Sequence, residues 1–362
     1  MRFPEFSEEW ESTPISTIAD IIGGGTPDTS VDEYWGGNIQ WFTPSEIGKE
    51  KYAYLSDRTI TEAGLKNSSA KLLPQGTVLL STRATIGECS IATAECTTNQ
   101  GFQSLVAKKN NVSSEFLYYI VAKIKREMLR RSCGSTFLEI SANELKKIHA
   151  NIPSKAEQEK LVSLLSLIDQ RIETQKKIIE KYESLIRGLC EKLTRQGDTN
   201  KSINECLECH SSTLQESEVL ETGRYPVYGA IGVCGYTDTP DVSGDGILII
   251  KDGASVGVTY FADGSYSSIG TLNRLTAKKG INLRYVYYCI KVMNFAPYKT
   301  GLAIPHIYFK DYGKHKIWCP SYEQQSRIAD ALTNIDNKIY VEKLLLEQLN
   351  SQKRYMLNQL FI

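Results

Sequence analysis

Apolar side chains recur in alternating steps of four and three residues from Leu161 to Leu193. Glu, Lys, Gln and Arg occupy most of the positions between them. A helix with such a narrow apolar strip buries it only by lying along another helix. The pattern therefore predicts a long helix packed lengthwise against a partner helix.

The same strip returns 167 residues later, from Ile328 to Leu360, and includes the same polar interruption, Gln175 in the first copy and Glu342 in the second. The register extends upstream without a gap to Gly134 and Gly301. Two unrelated amphipathic helices of a core would explain one such segment, but not two in register. The chain is therefore predicted to be an internal duplication. The residues predicted to form the helix-to-helix seam are Leu161, Leu165, Ile168, Ile172, Ile179, Ile328, Leu332, Ile335, Ile339 and Leu346.

At 362 residues the chain exceeds a usual single core and suits two domains with connectors. We predict an α+β fold, in which two globular α/β domains are separated by two long antiparallel coiled-coil helices related by a pseudo-twofold repeat. The predicted segments are a first globular domain over residues 1–152, a central helix over 153–196, a second globular domain over 197–319 and a C-terminal helix over 320–362.

The two halves share a pattern of strands but differ in the loops that follow them. A strand over 77–80 and the polar loop 81–87 correspond, 170 residues later, to a strand at 245–250 and the loop 251–257. A helix is predicted over 114–131. One scaffold with different loops is expected when two related domains bind different ligands. Tyr225–Gly229 has no counterpart recognisable in the first half.

Charge is balanced overall, with 42 basic and 42 acidic side chains. This excludes a uniformly basic nucleic-acid binder but not a basic patch. Residues 251–316 carry ten basic and three acidic side chains, and residues 123–131 add five basic ones. A solvated helix face explains one such cluster. A cluster in each half favours contact with a phosphate backbone.

Catalytic, metal and membrane signatures are missing from the sequence. It has no Asn/Asp-Pro-Pro-Tyr motif, no His-Glu-x-x-His and no Gly-x-Ser-x-Gly. Cys206-x-x-Cys209-His210 has the spacing of haem attachment, but that requires export, and a zinc site would need a second pair. No apolar run approaches the roughly 18 residues of a membrane span. We expect a cytoplasmic protein that is no enzyme by itself, with no cofactor, metal site or catalytic residue.

Several weak motifs occur in a specific order around the two helices. They are Trp10, Gly23–Pro27 followed by Tyr34-Trp35 and Trp41, Arg83–Gly87, Asn99-Gln100-Gly101, Tyr225–Gly229, and the Pro-Ser-x-x-x-Gln that opens both helices. With this order the chain resembles the specificity subunit of a type I restriction-modification system, over almost its whole length.

The resemblance implies that each globular domain is a target recognition domain for one half of a gapped site in double-stranded DNA. It also implies that the helices hold methyltransferase subunits, two of them expected, and that restriction subunits join that assembly, with no membrane involved. The seam over 161–193 would span roughly 50 Å at about 1.5 Å per residue. The helix length is therefore expected to determine the gap between half-sites.

Loop side chains with hydrogen-bonding groups are the expected base contacts. They are Thr43, Ser45, Arg83, Thr85 and Gln100 in the first domain, and Tyr228, Lys251, Asp252, Ser255 and Asn273 in the second. The expected phosphate contacts are Lys108, Lys123, Arg126, Arg130, Lys278, Lys279 and Lys299. The alternative is a coiled-coil scaffold with two protein-binding domains, which explains the helices and the neutral charge but not the paired basic clusters.

Overall fold

The computed structural model describes residues 2–134, 138–301 and 304–361, and the chain divides into two units. Unit 1 comprises Met1–Thr174 and Leu346–Ile362, and unit 2 comprises Gln175–Leu345. Among the described residues, no helix has the length and apolar character needed to cross a membrane.

Unit 1 contains a mixed sheet, a smaller second sheet and a helix. Its strands are β1 (Glu11–Pro14), β2 (Ala19–Gly23), β3 (Trp35–Phe42), β4 (Tyr52–Ala53), β5 (Arg58–Ile60), β6 (Val78–Leu80), β7 (Cys89–Ala92), β8 (Cys96–Thr98), β9 (Gln103–Ala107) and β10 (His149–Ile152). Its helices are α1 (Ile15–Ile18), α2 (Glu62–Lys66), α3 (Ser114–Arg131), α4 (Ala142–Lys146), the first half of α5 (Lys155–Thr194) and the C-terminal part of α9 (Tyr322–Leu360). The sheet orders are β2-β9-β6-β7-β4 and β5-β3-β8, and β1 pairs with β10.

Strand β6 is buried on both faces, which explains its unbroken run of apolar residues. Val78 and Leu80 belong to the core cluster that includes Phe116 of α3, whereas Leu79 lies in a second cluster with Phe42. This is the period-2 alternation of a strand between two layers. Helix α3 therefore covers one face of the large sheet, and the small sheet covers the other.

Unit 2 repeats this arrangement. Its strands are β11 (Lys201–Ser202), β12 (Leu207–Ser211), β13 (Tyr225–Gly229), β14 (Gly232–Thr237), β15 (Val242–Ser243), β16 (Gly246–Ile250), β17 (Thr259–Ala262), β18 (Ser265–Ser268), β19 (Leu272–Ala277) and β20 (Lys316–Ile317). Its helices are the second half of α5, α6 (Ile203–Cys206), α7 (Leu283–Lys291), α8 (Phe309–Tyr312) and most of α9 (Tyr322–Leu360). The sheet orders are β12-β19-β16-β17 and β14-β13-β18-β15.

The structure supplies the counterpart of Tyr225–Gly229 that the sequence does not reveal, strand β3. Strand β3 pairs in parallel with β8 and antiparallel with β5, and β13 pairs in the same two ways with β18 and β14. The Phe42 carbonyl accepts from the Asn99 N–H (3.0 Å), and the Tyr228 carbonyl accepts from the Ile269 N–H (2.9 Å). The two strands are equivalent in their backbone pairing, and their side chains are too different for the sequence to show it.

The long helices α5 and α9 contact each other within each unit. In unit 1, Ile168 and Ile172 of α5 cluster with Leu349 of α9, and Lys353 pairs with Asp169 at 2.6 Å. The seam residues predicted from the sequence are buried, except for the half-buried Ile335 and Leu346.

In unit 2 the polar layer of the seam is closed by hydrogen bonds. The Gln175 side-chain amide donates to the Glu342 carboxylate (2.5 Å) and to the Glu342 carbonyl (3.0 Å). Lys338 Nζ lies 2.8 Å from the same carboxylate. These contacts, first that from Lys338 and then that from Gln175, hold the pKa of Glu342 below its ordinary value of 4.5.

We expect acid to weaken this layer, and the variant Glu342→Gln to abolish the effect. Because the carboxyl pKa is lower in the folded state, the charge stabilises the fold above pH 4.5, and that contribution is lost as pH falls through the folded-state pKa. Denaturant unfolding from neutral pH down to about pH 3 checks this. Wild type should lose stability more steeply than Glu342→Gln, whereas parallel pH profiles would contradict the prediction.

Candidate nucleic-acid interface

The loop that leaves β6 in unit 1 presents three exposed residues in succession, Arg83, Ala84 and Thr85. The Thr85 N–H donates to the Arg83 carbonyl (2.7 Å) across Ala84, whose φ is +61°. The Ser81 hydroxyl donates to the same carbonyl (3.0 Å) and lies 2.9 Å from the Thr85 hydroxyl. A non-glycine residue in this conformation is strained by about 1–2 kcal/mol, and such strain is typical of functional loops.

Glycine at position 84 should relieve this strain. We expect Ala84→Gly to raise the free energy of unfolding by about 0.5–1 kcal/mol, the difference between the left-handed strain and the greater freedom of unfolded glycine. Gly253, at the equivalent position of unit 2, has a φ of +101° and open space where a Cβ would lie. Alanine there would meet no clash but would adopt a strained backbone conformation, so Gly253→Ala should destabilise by a similar amount. Denaturant titration measures both variants. Destabilisation by Ala84→Gly would contradict the prediction.

The chain that follows α3 supports this loop. Cys133 and Glu139 exchange backbone hydrogen bonds of 3.0 and 2.9 Å, and the Ile140 N–H donates to the Thr82 carbonyl (3.1 Å). Arg83 and Glu139 form an isolated β-bridge, with the Arg83 Nε 3.5 Å from the Glu139 carboxylate. The guanidinium is therefore held from one side while the residue stays exposed.

Unit 2 contains the same construction around the loop that leaves β16. Thr300 and His306 exchange backbone hydrogen bonds of 2.9 and 2.8 Å, and the Ile307 N–H donates to the Lys251 carbonyl (2.9 Å). Asp252 and His306 form the β-bridge, with His306 Nδ1 2.7 Å from Asp252 Oδ1. The two loops are thus equivalent in backbone pairing. Sequence reasoning missed Glu139 and His306, although both lie at the 167-residue offset of the repeat.

Other predicted base contacts of unit 1 gather at the same edge of the sheet. The Gly101 carbonyl accepts from the Thr82 N–H (2.9 Å), and the side chain of Pro44 lies against Gly101. Neighbouring Ser45 and Gln100 are exposed. Thr43 is only half-exposed, and its N–H (2.7 Å) and hydroxyl (2.5 Å) both donate to the Glu46 carboxylate as a helical cap. Ser45 and Gln100 are therefore better placed than Thr43 to contact a ligand.

In unit 2 the predicted base contacts are not all accessible. Ser255 is exposed, while Lys251 and Tyr228 are half-buried, with the Tyr228 ring edge-on to Tyr266. Asn273 is only 6% exposed and accepts a 3.1 Å hydrogen bond from the Ser211 hydroxyl across the β12–β19 pair. The Asn273 side chain is thus buried and hydrogen-bonded within the sheet, so it is poorly placed to contact a base.

Some of the predicted phosphate contacts lie beside these loops. In unit 1 the side chain of Lys125, near Arg126 and Arg130 on α3, lies against Gly87 and pairs with Glu88 at 2.6 Å. Arg126 and Arg130 are exposed, and Arg130 also pairs with Glu127. In unit 2, Lys299 lines a cleft with loop residues 256–258. Lys123 is exposed but lines a different cleft, with Trp10 and His149.

Lys108 and Lys278 lie at the other end of their sheets. Strand β9 begins beside Gly101, near the loop, and Lys108 follows its far end, where its Nζ donates to the Ser16 carbonyl (2.9 Å). Lys278 follows β19 and donates equivalently to the Asn204 carbonyl (2.7 Å). Lys279 is next in sequence and exposed. The structure therefore does not bring these three lysines to the loops.

No group of three or more His, Cys, Asp or Glu side chains in the described part of the chain is arranged to hold a metal ion. Cys206 is buried in the core of unit 2, and His210 Nε2 lies 2.9 Å from the Thr276 hydroxyl. The two ends of the Cys206–His210 motif therefore differ in setting, since Cys206 ends α6 in the core and His210 lies on the exposed side of β12.

The fold and the loops define a class of protein in which one α/β domain and one long helix occur twice. Each domain has an exposed polar loop, and the two loops share the same backbone pairing. The family described as type I restriction modification DNA specificity domain matches residues 7–184 and 199–351, and the chain belongs to this family.

Relatives and solved structures agree with this membership. The chain is 42% identical over 182 residues to the MjaIX type I restriction enzyme specificity subunit of Methanocaldococcus jannaschii, covering 49% of this chain but only 42% of that relative. It is 25% identical over 360 residues to the EcoprrI specificity subunit of Escherichia coli, covering 91% of this chain and 88% of the other. The crystal structure of the S subunit from M. genitalium has the same fold, with a TM-score of 0.65 at 19% identity over 100% of this chain and 99% of that one.

Proposed function

We propose that this chain is a DNA-binding specificity subunit of a type I restriction-modification complex. Unit 1 and unit 2 each recognise one half of a bipartite site in double-stranded DNA. The observation that carries the proposal is the pair of equivalent loops, Ser81–Glu88 and Lys251–Val258, which share backbone pairing and exposure but differ in side chains. Equivalent scaffolds with different exposed polar groups suit the recognition of two different base sequences.

The base contacts we propose are the exposed or half-exposed side chains of these loops and their neighbours. They are Ser45, Arg83, Thr85 and Gln100 in unit 1, and Tyr228, Lys251, Asp252 and Ser255 in unit 2. Arg126, Arg130 and Lys299 are the proposed phosphate contacts. Lys108, Lys278 and Lys279 are left out, because their lysine side chains lie at the far ends of the strands.

We also propose that α5 and α9 form an antiparallel coiled coil within one chain that docks two methyltransferase subunits, with restriction subunits joining that assembly. The pairing of Asp169 with Lys353 in unit 1 and of Gln175 with Glu342 in unit 2 supports the opposite directions of the helices. The globular segments 1–152 and 197–319 and the helices 153–196 and 320–362 are the corresponding domains. The subunit itself contributes recognition and no catalytic group.

A mobility-shift assay of the subunit with its methyltransferase tests the DNA-binding proposal. At low salt the complex should bind random duplex, because phosphate contacts act on any sequence. A coiled-coil scaffold with protein-binding domains would shift no more duplex than the methyltransferase does alone.

The variant Lys299→Ala should weaken binding to all sequences alike. Loss of one phosphate contact lowers the slope of log K against log salt by about 0.9. Lys279→Ala is the matched control, because Lys279 is an exposed lysine of the same unit that lies away from the loop. Salt titrations of duplex affinity measure both variants. Equal effects of the two substitutions would show that Lys299 has no special role.

A further inference from the structure

The two equivalent loops carry their acidic and basic partners in opposite order. In unit 1 the loop residue is Arg83 and the supporting residue after α3 is Glu139. In unit 2 the loop residue is Asp252 and the supporting residue is His306. Both bridges join positions related by the repeat, so Arg83 in unit 1 and Asp252 in unit 2 occupy equivalent positions of their own loops.

Among the described residues, the partners leave hydrogen-bonding groups free at these two positions. Glu139 approaches Arg83 at Nε, so the two terminal nitrogens of the guanidinium point elsewhere. His306 approaches Asp252 at Oδ1, which leaves Oδ2 as an acceptor. The side chains of Arg83 and Asp252 are 46% and 35% exposed, so a base edge can reach both.

Donors and acceptors at one position select different bases in the major groove. A guanidinium donates two hydrogen bonds to O6 and N7 of guanine, whereas a carboxylate accepts only from an exocyclic amino group, N4 of cytosine or N6 of adenine. Arg83 therefore matches guanine, and Asp252 repels it, because guanine presents only acceptors there.

We propose that Arg83 and Asp252 determine specificity at equivalent base pairs of the two half-sites, Arg83 selecting guanine and Asp252 selecting an amino-bearing base, cytosine or adenine. Glu139 and His306 act as positioning residues that aim these side chains. This inference rests on the proposed DNA-binding function and names the base class that each loop recognises.

An exchange variant tests the inference. Asp252→Arg combined with His306→Glu places the unit 1 pair in unit 2. Wild type and variant, each in complex with the methyltransferase, are used to select duplexes from a randomised pool. One position of the second half-site should change from cytosine or adenine to guanine, with a preference of about 5- to 150-fold, the range for one good bidentate contact. The first half-site should stay the same.

A second variant covers failure of the exchange variant to fold. Asp252→Ala should lose the preference for cytosine or adenine at that base pair and keep the rest of the site. Glu208→Ala is its control, because Glu208 is an exposed carboxylate of β12 that pairs with Thr276, near the end of β19 remote from the loop. Unchanged selection by folded Asp252 variants would overturn the inference. Failure of wild type to enrich any sequence would instead overturn the proposed function.

Discussion

Replacing Leu165 with alanine should lower the free energy of unfolding of unit 1 by about 2–5 kcal/mol, and Leu332→Ala should do the same to unit 2. Both side chains are fully buried and lie at equivalent positions of α5 and α9. Leu165 belongs to the cluster that contains Phe116 of α3, and Leu332 to the cluster that contains Tyr285 of α7. Each removal leaves a cavity where a domain core meets its helix.

Hydrogen exchange read by mass spectrometry measures this effect separately for each unit. Leu167→Ala is the control on the same helix, because Leu167 is 57% exposed, and its loss should change stability by no more than about 0.5 kcal/mol. If Leu165→Ala cost no more than Leu167→Ala, the proposed packing of α5 on the domain would be wrong.

Arg83→Ala should reduce affinity for the cognate site about 5- to 150-fold and leave affinity for scrambled duplex unchanged. The reason is that the guanidinium stands on an exposed turn, where the Glu139 carboxylate contacts it at Nε. The loss should fall on one half-site, because unit 2 has its own loop.

Fluorescence anisotropy with cognate and scrambled duplexes measures this, using the complex with the methyltransferase. Lys109→Ala serves as a charge control, since Lys109 is exposed and follows the end of β9 remote from the loop. Equal loss on both duplexes after Arg83→Ala would refute its role in base recognition.

The sequence predicted the long elements well because their side chains repeat at the period of one secondary structure. Helix α3 has the predicted bounds, with Ser113 accepting from the Phe116 N–H at its start and apolar residues along one side. Strands β6 and β16 also lie within the predicted strands 77–80 and 245–250. The heptad pattern gave both long helices to within two residues at each end, since only a long helix satisfies it.

Contacts between distant segments left no such periodic signal. Arg2 and Trp10 donate to the buried carboxylate of Glu157, at 2.8 and 3.2 Å, and no local pattern at Glu157 indicates this. The burial of Asn273 depends on Ser211 in the neighbouring strand. The sequence could place the polar loops but not the residues that pack against them.

The predicted phosphate contacts do not all lie beside the loops, for a related reason. Composition showed that basic residues cluster, but the direction of each strand decides which end of the sheet they reach. Lys108 and Lys278 follow the far ends of β9 and β19, while Lys299 follows α7 on the side of the loop. The direction of the strands therefore separates the lysines at the far ends of β9 and β19 from Lys299 beside the loop.

Selection of bound duplexes from a randomised pool, by the wild-type chain with its methyltransferase, tests the central claim that one chain carries two equivalent DNA-recognition units. We predict two short specific blocks separated by an unspecified gap of constant length, with one block losing its preference at one base pair when unit 1 carries Arg83→Ala. A single continuous motif, or no enriched sequence, would contradict the account.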